Sequence, residues 1–158
     1  MPARQLSEFL DSNEVKYVTI RHSPAYTAQE VAASAHVPGK AMAKTVIVDL
    51  DGKMAMAVLP ASSRLDLDQL KTAADARRVA IPDEQKFQGL FPDCEVGAMP
   101  PFGNLYGLDV FVADSLADDE EIAFNAGSHT EVVRLAYEDF ERLVHPKVAK
   151  LTSNPAGP

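Results

Sequence analysis

The clearest alternation of hydrophobic and polar positions lies in residues 41–60. Two apolar runs, AKTVIVDL and KMAMAVLP, are joined there by Asp51-Gly52. This pair is typical of the tight type I′ turn, because both of its residues tolerate the positive φ that the turn requires. The segment therefore predicts an antiparallel hairpin of two strands.

Elsewhere the hydrophobic pattern switches between helical spacing and strand alternation. Helices are predicted over residues 3–12, from 27 to 38, from 66 to 74, from 82 to 89 and over 137–144. Strands are predicted over residues 15–21, 77–81, 94–99, 108–113, 121–125 and 132–135. The mixture predicts one α/β (α+β) domain over residues 1–150 with a mixed sheet, closed or nearly closed, followed by a disordered tail over 151–158.

The composition limits the class of protein. The chain has 158 residues, of which 46% are hydrophobic and 24% are charged, and this balance excludes general disorder. No stretch approaches the roughly 18 apolar residues of a membrane span. The single cysteine, Cys94, forms no internal disulfide and belongs to no zinc-type Cys/His spacing. We therefore expect a cytoplasmic protein without a metal site.

The charge is unevenly distributed. The formal net charge of -8 argues against binding of nucleic acid by bulk electrostatics, because phosphate neutralisation needs clustered Lys and Arg. Residues 113–142 carry nine acidic residues against only Arg134 and Arg142, whereas residues 36–92 carry eight Lys/Arg against seven Asp/Glu. The acidic segment is typical of a solvated face, so the charge limits how a nucleic acid binds without forbidding local contact.

Lys44 lies inside an otherwise apolar predicted strand, between Ala43 and the run TVIV. A lysine at such a position points to solvent from an exposed face or points into a pocket. In a pocket, its compact ammonium would hold a phosphate or a carboxylate. The residues alone leave both interpretations open.

Two loops have compositions suited to a binding site. Residues 97–103, GAMPPFG, combine stiff prolines with permissive glycines and could present backbone N–H and C=O groups at fixed angles. Residues 125–130, NAGSHT, place His129 where it could bind a substrate or act as a general base. For each loop the alternative is a plain turn. The sequence has no Walker, GxGxxG, HExxH or GxSxG motif.

Taken in order, these segments resemble the YbaK family, also named the prolyl-tRNA synthetase associated or INS-like editing domain. The resemblance is carried by HSPAYTAQEVA from His22, KTVIV from Lys44, the GxxxP segment 97–101 with Phe102-Gly103, and AGSH ending at His129. It covers roughly residues 15–145, the size of one domain. It implies a mixed, barrel-like sheet with helices packed around it.

The resemblance also implies an activity: hydrolysis, in trans, of the ester between a wrong amino acid and the 3′-terminal adenosine of tRNA. It gives Lys44 the central role, makes the GxxxP loop shape the aminoacyl pocket, and gives His129 a part in amino-acid size selection. Backbone N–H groups near Gly97 would stabilise the oxyanion. The predicted catalytic residues are therefore Lys44 and Gly97. The predicted substrate-binding residues are His22, Thr27, Thr45, Met99, Pro100, Pro101, Phe102, Gly103, Gly127, Ser128 and His129.

The function predicted from this resemblance is a freestanding trans-editing deacylase with prolyl-tRNA-type substrates and no metal or organic cofactor. Its expected partners are the aminoacylated 3′ end of tRNA and an aminoacyl-tRNA synthetase, and not a membrane. The loop lacks the GGxSPxG pattern of the cysteinyl-tRNA-directed members, and Lys44 is not followed by Asn-Leu as in the alanyl-tRNA-directed members. The amino acid removed therefore stays open. The alternative is a non-catalytic module that binds tRNA 3′ ends, aminoacyl nucleotides or a protein partner.

Overall fold

A computed structural model describes residues 4–23, 28–35, 37, 41–92, 94–95 and 97–155. Within them the helices are α1 (Arg4–Ser12), α2 (Ala28–Ser34), α3 (Leu67–Ala74), α4 (Glu84–Phe87), α5 (Asp114–Ala117) and α6 (Tyr137–Val144). The strands are β1 (Tyr17–Arg21), β2 (Met42–Leu50), β3 (Lys53–Pro60), β4 (Ser63–Leu65), β5 (Val79–Ala80), β6 (Asp109–Ala113), β7 (Glu121–Asn125), β8 (Glu131–Ala136), β9 (Lys147–Ala149) and β10 (Thr152–Pro155). Short 3-10 helices occupy Gln88–Leu90 and Gly103–Tyr106.

Eight strands of the described residues form one mixed sheet. Its order is β1-β8-β7-β2-β3-β6-β9, and β5 pairs in addition with β2. The pairs β1/β8, β8/β7, β2/β3 and β2/β5 are antiparallel, whereas β7/β2, β3/β6 and β6/β9 are parallel. Strands β1 and β9 end the path, and no pairing joins them within the described part of the chain. This mixed sheet with helices packed on it confirms the predicted fold class.

Alternation along β2 gives the sheet two faces. Ala43 and Ile47 belong to the main hydrophobic core, to which α1 and α6 also contribute. Met42 and Val48 lie on the opposite face, where α2 packs near the former and α3 near the latter. Lys44 has the same parity as these two residues. The two sides are therefore named the core face and the lysine face.

Three local predictions are confirmed. Asp51 and Gly52 have φ values of 53° and 91°, the two positive values that a type I′ turn requires. Asp66 caps α3, because its carboxylate accepts hydrogen bonds from two backbone N–H groups in the first turn. Helix α6 has the predicted bounds and ends where His145 takes a left-handed conformation, with φ of 54°.

The predicted strand over residues 94–99 is wrong. The described residues of this stretch form turns, in which the Cys94 N–H donates to the carbonyl of Phe91 and the Ala98 N–H donates to the carbonyl of Glu95. Gly97 has a φ of 84°, which bends the chain out of the extended conformation. Here the conformation of the glycine overrides the alternation of apolar residues.

The predicted disordered tail is wrong for residues 151–155. Leu151 is fully buried in the cluster that contains α3, and its carbonyl accepts a hydrogen bond from the Asp66 N–H over 2.8 Å. Strand β10 pairs with β4 in a separate two-stranded sheet. Residues 156–158 lie outside the described residues. The packed structure therefore continues past residue 150, the predicted end of the domain.

Candidate active site

Lys44 lies on the lysine face between two apolar clusters. Met42 on one side belongs to the cluster that contains α2, and Val46 on the other side packs against the cluster that contains α3. The side chain is therefore half-buried. This burial lowers the pKa of the Lys44 ammonium from its ordinary value of 10.5, and the guanidinium of Arg64 lowers it further. A polar or anionic ligand group would replace the hydration that this ammonium has lost.

One edge of β2 is shared by two different strands. Strand β7 pairs with Met42 and Ala43, whereas β5 pairs with Asp49 and Leu50. Among the described residues, the stretch of β2 between these pairs has no strand partner on that edge. Lys44 is the first residue of this gap. Ligands commonly bind in crevices where neighbouring strands diverge.

The strand register sets the end of β7 beside Lys44. Ala43 pairs with Phe124, so the next position along these parallel strands places Lys44 beside Asn125, at a spacing of about 5 Å between strands. Asn125 is the last residue of β7 and leads directly into the loop that holds His129. The register therefore brings Lys44 and the His129 loop to the same end of the sheet.

Backbone hydrogen bonds join the His129 loop to the GxxxP loop. The Gly127 N–H donates to the carbonyl of Ala98 over 2.9 Å, and the Glu95 N–H donates to the carbonyl of Gly127 over 2.7 Å. A Cβ atom added to Gly97 would lie 3.6 Å from Cε1 of His129. The two predicted loops thus form one continuous wall in which Gly97 adjoins His129.

Gly97 and His129 differ in exposure. Gly97 is exposed and keeps a φ of 84°, a conformation that other L residues rarely adopt. No hydrogen bond from its N–H is seen within the described residues. His129 is only 8% exposed, and its ring is held by the surrounding packing.

His22 extends β1 toward the same loop. Its N–H donates to the carbonyl of Thr130 over 2.9 Å, which continues the pairing of β1 with β8. Its Nδ1 lies 2.7 Å from the carbonyl oxygen of Ser23 and is therefore the donor, because a carbonyl only accepts. Its Nε2 is buried without a hydrogen-bond partner in the described residues. At the loop tip, Ser128 Oγ lies 3.3 Å from Thr130 Oγ1 and braces the turn.

A comparison with protein families shows which family this chain belongs to. The family model described as "Aminoacyl-tRNA editing domain" matches residues 22–143, a range that includes Lys44 and both loops. The chain belongs to the aminoacyl-tRNA editing domain family. The family predicted from the sequence motifs is thereby confirmed.

The matches to individual relatives of this editing domain cover different shares of the chain. The chain is 34% identical over 95 residues to the multifunctional Ser/Thr-tRNA deacylase ProXp-y of Escherichia coli strain K12. That match covers 59% of this chain and spans only 56% of the relative. A crystal structure described as a candidate trans-editing enzyme for prolyl-tRNA synthetase superposes with a TM-score of 0.82 at 19% identity, over 96% of this chain and 97% of that one.

A second crystal structure, of a hypothetical protein named APE2540, superposes with a TM-score of 0.85. It is also 19% identical, over 95% of this chain and 100% of that one. At this level of identity the two structural likenesses establish the fold of the editing domain and nothing finer.

Two residues that the sequence predicts to contact substrate belong to the hydrophobic core of the editing domain. Phe102 is fully buried, and its ring packs against those of Phe9, Phe124 and Phe140. Met99 is 6% exposed and belongs to the same cluster. We therefore correct the prediction for Phe102, whose side chain presents no surface that a substrate could contact. A substrate contact at Met99 stays a prediction.

Gly103 is also a packing residue. A Cβ atom there would lie 2.7 Å from Cγ2 of Val110 and 2.9 Å from the carbonyl oxygen of Leu108, so a larger residue would force the backbone to shift. This packing accounts for the glycine at position 103, and its contact with substrate stays a prediction. Pro100 and Pro101 are buried in the loop wall, and their contact with substrate stays a prediction.

Strand alternation separates Thr45 from Lys44. Thr45 has the parity of Ala43 and Ile47, which belong to the main core, so it does not lie on the lysine face. The prediction that Thr45 lines the site together with Lys44 is therefore corrected. Thr27 lies outside the described residues.

Two neighbours of Lys44 were not among the predicted site residues. The strand register places Asn125 next to Lys44. In the sequence, Asn125 is recognisable as a polar residue at the end of an apolar strand. Arg64 acts on Lys44 electrostatically from β4. That short strand is held by pairing with β10, a segment far away in the sequence, so no local pattern predicts where Arg64 lies.

No helix among the described residues is long and apolar enough to cross a membrane. In the part of the chain that the structure describes, no three His, Cys, Asp or Glu side chains are grouped to hold a metal ion. Several surface cavities lined by described residues lie elsewhere, such as one between α3 and β9 that is lined by Asp66, Gln69 and Ala149. The candidate site is therefore defined by register, burial and hydrogen bonding rather than by cavity size.

Proposed function

We propose that this editing domain is a trans-acting deacylase that hydrolyses the ester of a mischarged tRNA. The observation that carries the proposal is the convergence of Lys44, at the gap in β2, with the joined Gly97 and His129 loops. Family membership supports the same reaction, and the name of the bacterial relative describes a tRNA deacylase.

The groups at the site suit a reaction that needs no side-chain nucleophile. An aminoacyl ester is already activated, so the enzyme mainly has to position a water molecule or the neighbouring ribose hydroxyl for attack. The exposed N–H of Gly97 would donate to the oxyanion that forms on the ester carbonyl. Lys44 would orient the ester through the terminal phosphate or the ribose, since its ammonium is a compact donor of positive charge.

The amino acid that is removed is the finer part of the proposal. The resemblance in the motifs and the described role of one structural relative favour prolyl-tRNA-type substrates. The name of the sequence relative instead favours seryl and threonyl esters. A pocket wall formed by His129 and the GxxxP loop would select by size only modestly, at about 10–200-fold for one methylene group.

The experiment that tests the proposal is hydrolysis of a panel of mischarged tRNAs, including tRNA for proline charged with alanine, serine or threonine. We expect turnover of at least one member and little hydrolysis of correctly charged prolyl-tRNA. Binding of the panel without turnover would overturn the proposal and would favour the alternative, a non-catalytic module that recognises tRNA 3′ ends or aminoacyl nucleotides.

The charge of the chain constrains how it engages tRNA. With a net charge of -8, few phosphates can be neutralised, so we expect weak contact limited to the 3′ end, with an affinity that falls only gradually as salt is added. Docking on an aminoacyl-tRNA synthetase would supply additional affinity for the same substrate. This partner and the cytoplasmic location are parts of the proposal.

A further inference from the structure

Asn125 carries a buried polar atom for which the described residues provide no hydrogen-bond partner. Its Oδ1 is buried and has no hydrogen-bond partner within the described residues. Most buried polar side-chain atoms in folded proteins do have a partner, and an unpaired acceptor destabilises the folded state. If Asn125 had a purely structural role, its Oδ1 would be expected to accept a hydrogen bond from a neighbouring group of the protein.

The position of Asn125 is fixed by three strands. It pairs with Val132 of β8, which lies in the lysine-face cluster that contains α2. Lys44 occupies the adjacent position on β2, because the preceding residues of β2 and β7 are paired. Asn125 therefore lies on the lysine face, at the position next to Lys44.

A second unsatisfied atom lies on the same face. Ile20 of β1 pairs with Val132, and His22 follows Ile20 by two residues, so the alternation puts both on the lysine face. Nε2 of His22 is buried without a partner among the described residues. The lysine face thus carries, besides Lys44, two polar side chains that each have a buried atom without a partner in the described part of the chain.

We propose that Asn125 is a substrate-contacting residue of this site, and that its Oδ1 accepts a hydrogen bond from a donor on the bound aminoacyl-adenosine. The inference rests on the proposed function, since it assigns the ligand to the same site. The aminoacyl-ribose part of this ligand has three donors with the required chemistry: the α-ammonium, the ribose 2′-hydroxyl and the side-chain hydroxyl of serine or threonine.

The test compares Asn125→Leu, which has a similar volume and no acceptor, with Asn125→Asp, which keeps an acceptor. Asn104→Leu is the matched control, since Asn104 is exposed and donates a long hydrogen bond of 3.4 Å to the Leu143 carbonyl. The probes are non-hydrolysable 3′-aminoacylamino-adenosines, measured by calorimetry, together with deacylation of the matching mischarged tRNA. Thermal unfolding of each variant is measured in parallel.

We expect Asn125→Leu to weaken analogue binding and kcat/KM by at least about tenfold, the loss expected when one buried hydrogen bond is removed. Its unfolding midpoint should stay equal to that of the wild type or rise, because the substitution removes an unpaired acceptor. Asn125→Asp should keep more of the binding than Asn125→Leu, and Asn104→Leu should match the wild type.

Analogues that each lack one donor identify the group that Asn125 binds. Alanyl and seryl analogues differ in the side-chain hydroxyl, a 2′-deoxy analogue lacks the ribose hydroxyl, and a desamino (propionyl) analogue lacks the ammonium. The effect of Asn125→Leu should disappear for the analogue that lacks the relevant donor, as in a double-mutant cycle.

Two results would overturn the inference. One is wild-type binding of every analogue by Asn125→Leu. The other is a parallel loss of binding and of stability in this variant, with Asn125→Asp restoring stability alone, since that would assign Asn125 a structural role. Binding of the analogues by the wild type without hydrolysis of any tRNA would instead reject the proposed deacylase while the binding measurements still decide the role of Asn125.

Discussion

The lysine on β2 carries a charge that burial makes unfavourable to the folded state. Lys44 lies between apolar clusters, and both burial and Arg64 lower the pKa of its ammonium. A lowered pKa means that the folded chain holds the proton less tightly than the unfolded chain does. The charged lysine therefore disfavours the folded state at neutral pH. Such a cost at a residue of this type is typical of functional sites.

The first prediction concerns the substitution Lys44→Met. At neutral pH the variant should be more stable than the wild type, because it removes a partly desolvated charge. The wild type should gain stability relative to the variant as the pH rises from the lowered pKa toward 10.5, since the folded chain then loses the proton first. Urea unfolding at several pH values measures this difference. A variant less stable than the wild type at neutral pH would show that the charged lysine stabilises the fold.

The elements that could be predicted from the sequence are those fixed by local chemistry. The β2–β3 hairpin follows from Asp51-Gly52 and its flanking alternation, and α6 follows from its own periodicity. The failed strand over residues 94–99 shows the limit, because the left-handed Gly97 and the turn hydrogen bonds around it decide that segment. The short elements β4, α5 and β9 span three or four residues, too few to show a period.

The second prediction tests the cap of α3. Asp66→Ala should lower the free energy of unfolding by about 0.5–2 kcal/mol, because two first-turn N–H groups lose their acceptor. Asp66→Asn should remain close to the wild type, since its amide oxygen can cap in the same way. Chemical denaturation of both variants is the measurement. Equal losses in the two variants would mean that the charge of Asp66, rather than capping, carries its contribution.

At the scale of the whole molecule, the site depends on contacts that no local pattern reveals. The three predicted segments around Lys44, Gly97 and His129 were found in the sequence, but the β2–β7 register and the bonds of Gly127 place them together. The sequence could have excluded Thr45, whose alternation sends it to the other face. The core position of Phe102 depends on aromatic neighbours from three other segments, which only the fold brings together.

The third prediction concerns the C-terminal segment that packs against α3. Leu151 is fully buried, whereas Val148 in β9 is 40% exposed. Leu151→Ala should therefore lower the free energy of unfolding by about 2–5 kcal/mol, and Val148→Ala should cost far less. Thermal and urea unfolding measure both variants. A Leu151→Ala protein as stable as the wild type would contradict the packing of residues 151–155 against the domain.

The central claim, that this editing domain hydrolyses mischarged tRNA with Lys44 in the active site, is tested most directly by one comparison of deacylation rates. Wild type, Lys44→Met and the control Lys53→Met, an exposed lysine in the same hairpin, are assayed on the mischarged tRNA that the wild type hydrolyses best. We predict that Lys44→Met loses at least about a hundredfold in kcat/KM, a loss typical of removing an electrostatic group from an active site, while it stays folded and Lys53→Met keeps the wild-type rate. A folded Lys44→Met protein with the wild-type rate would contradict the account.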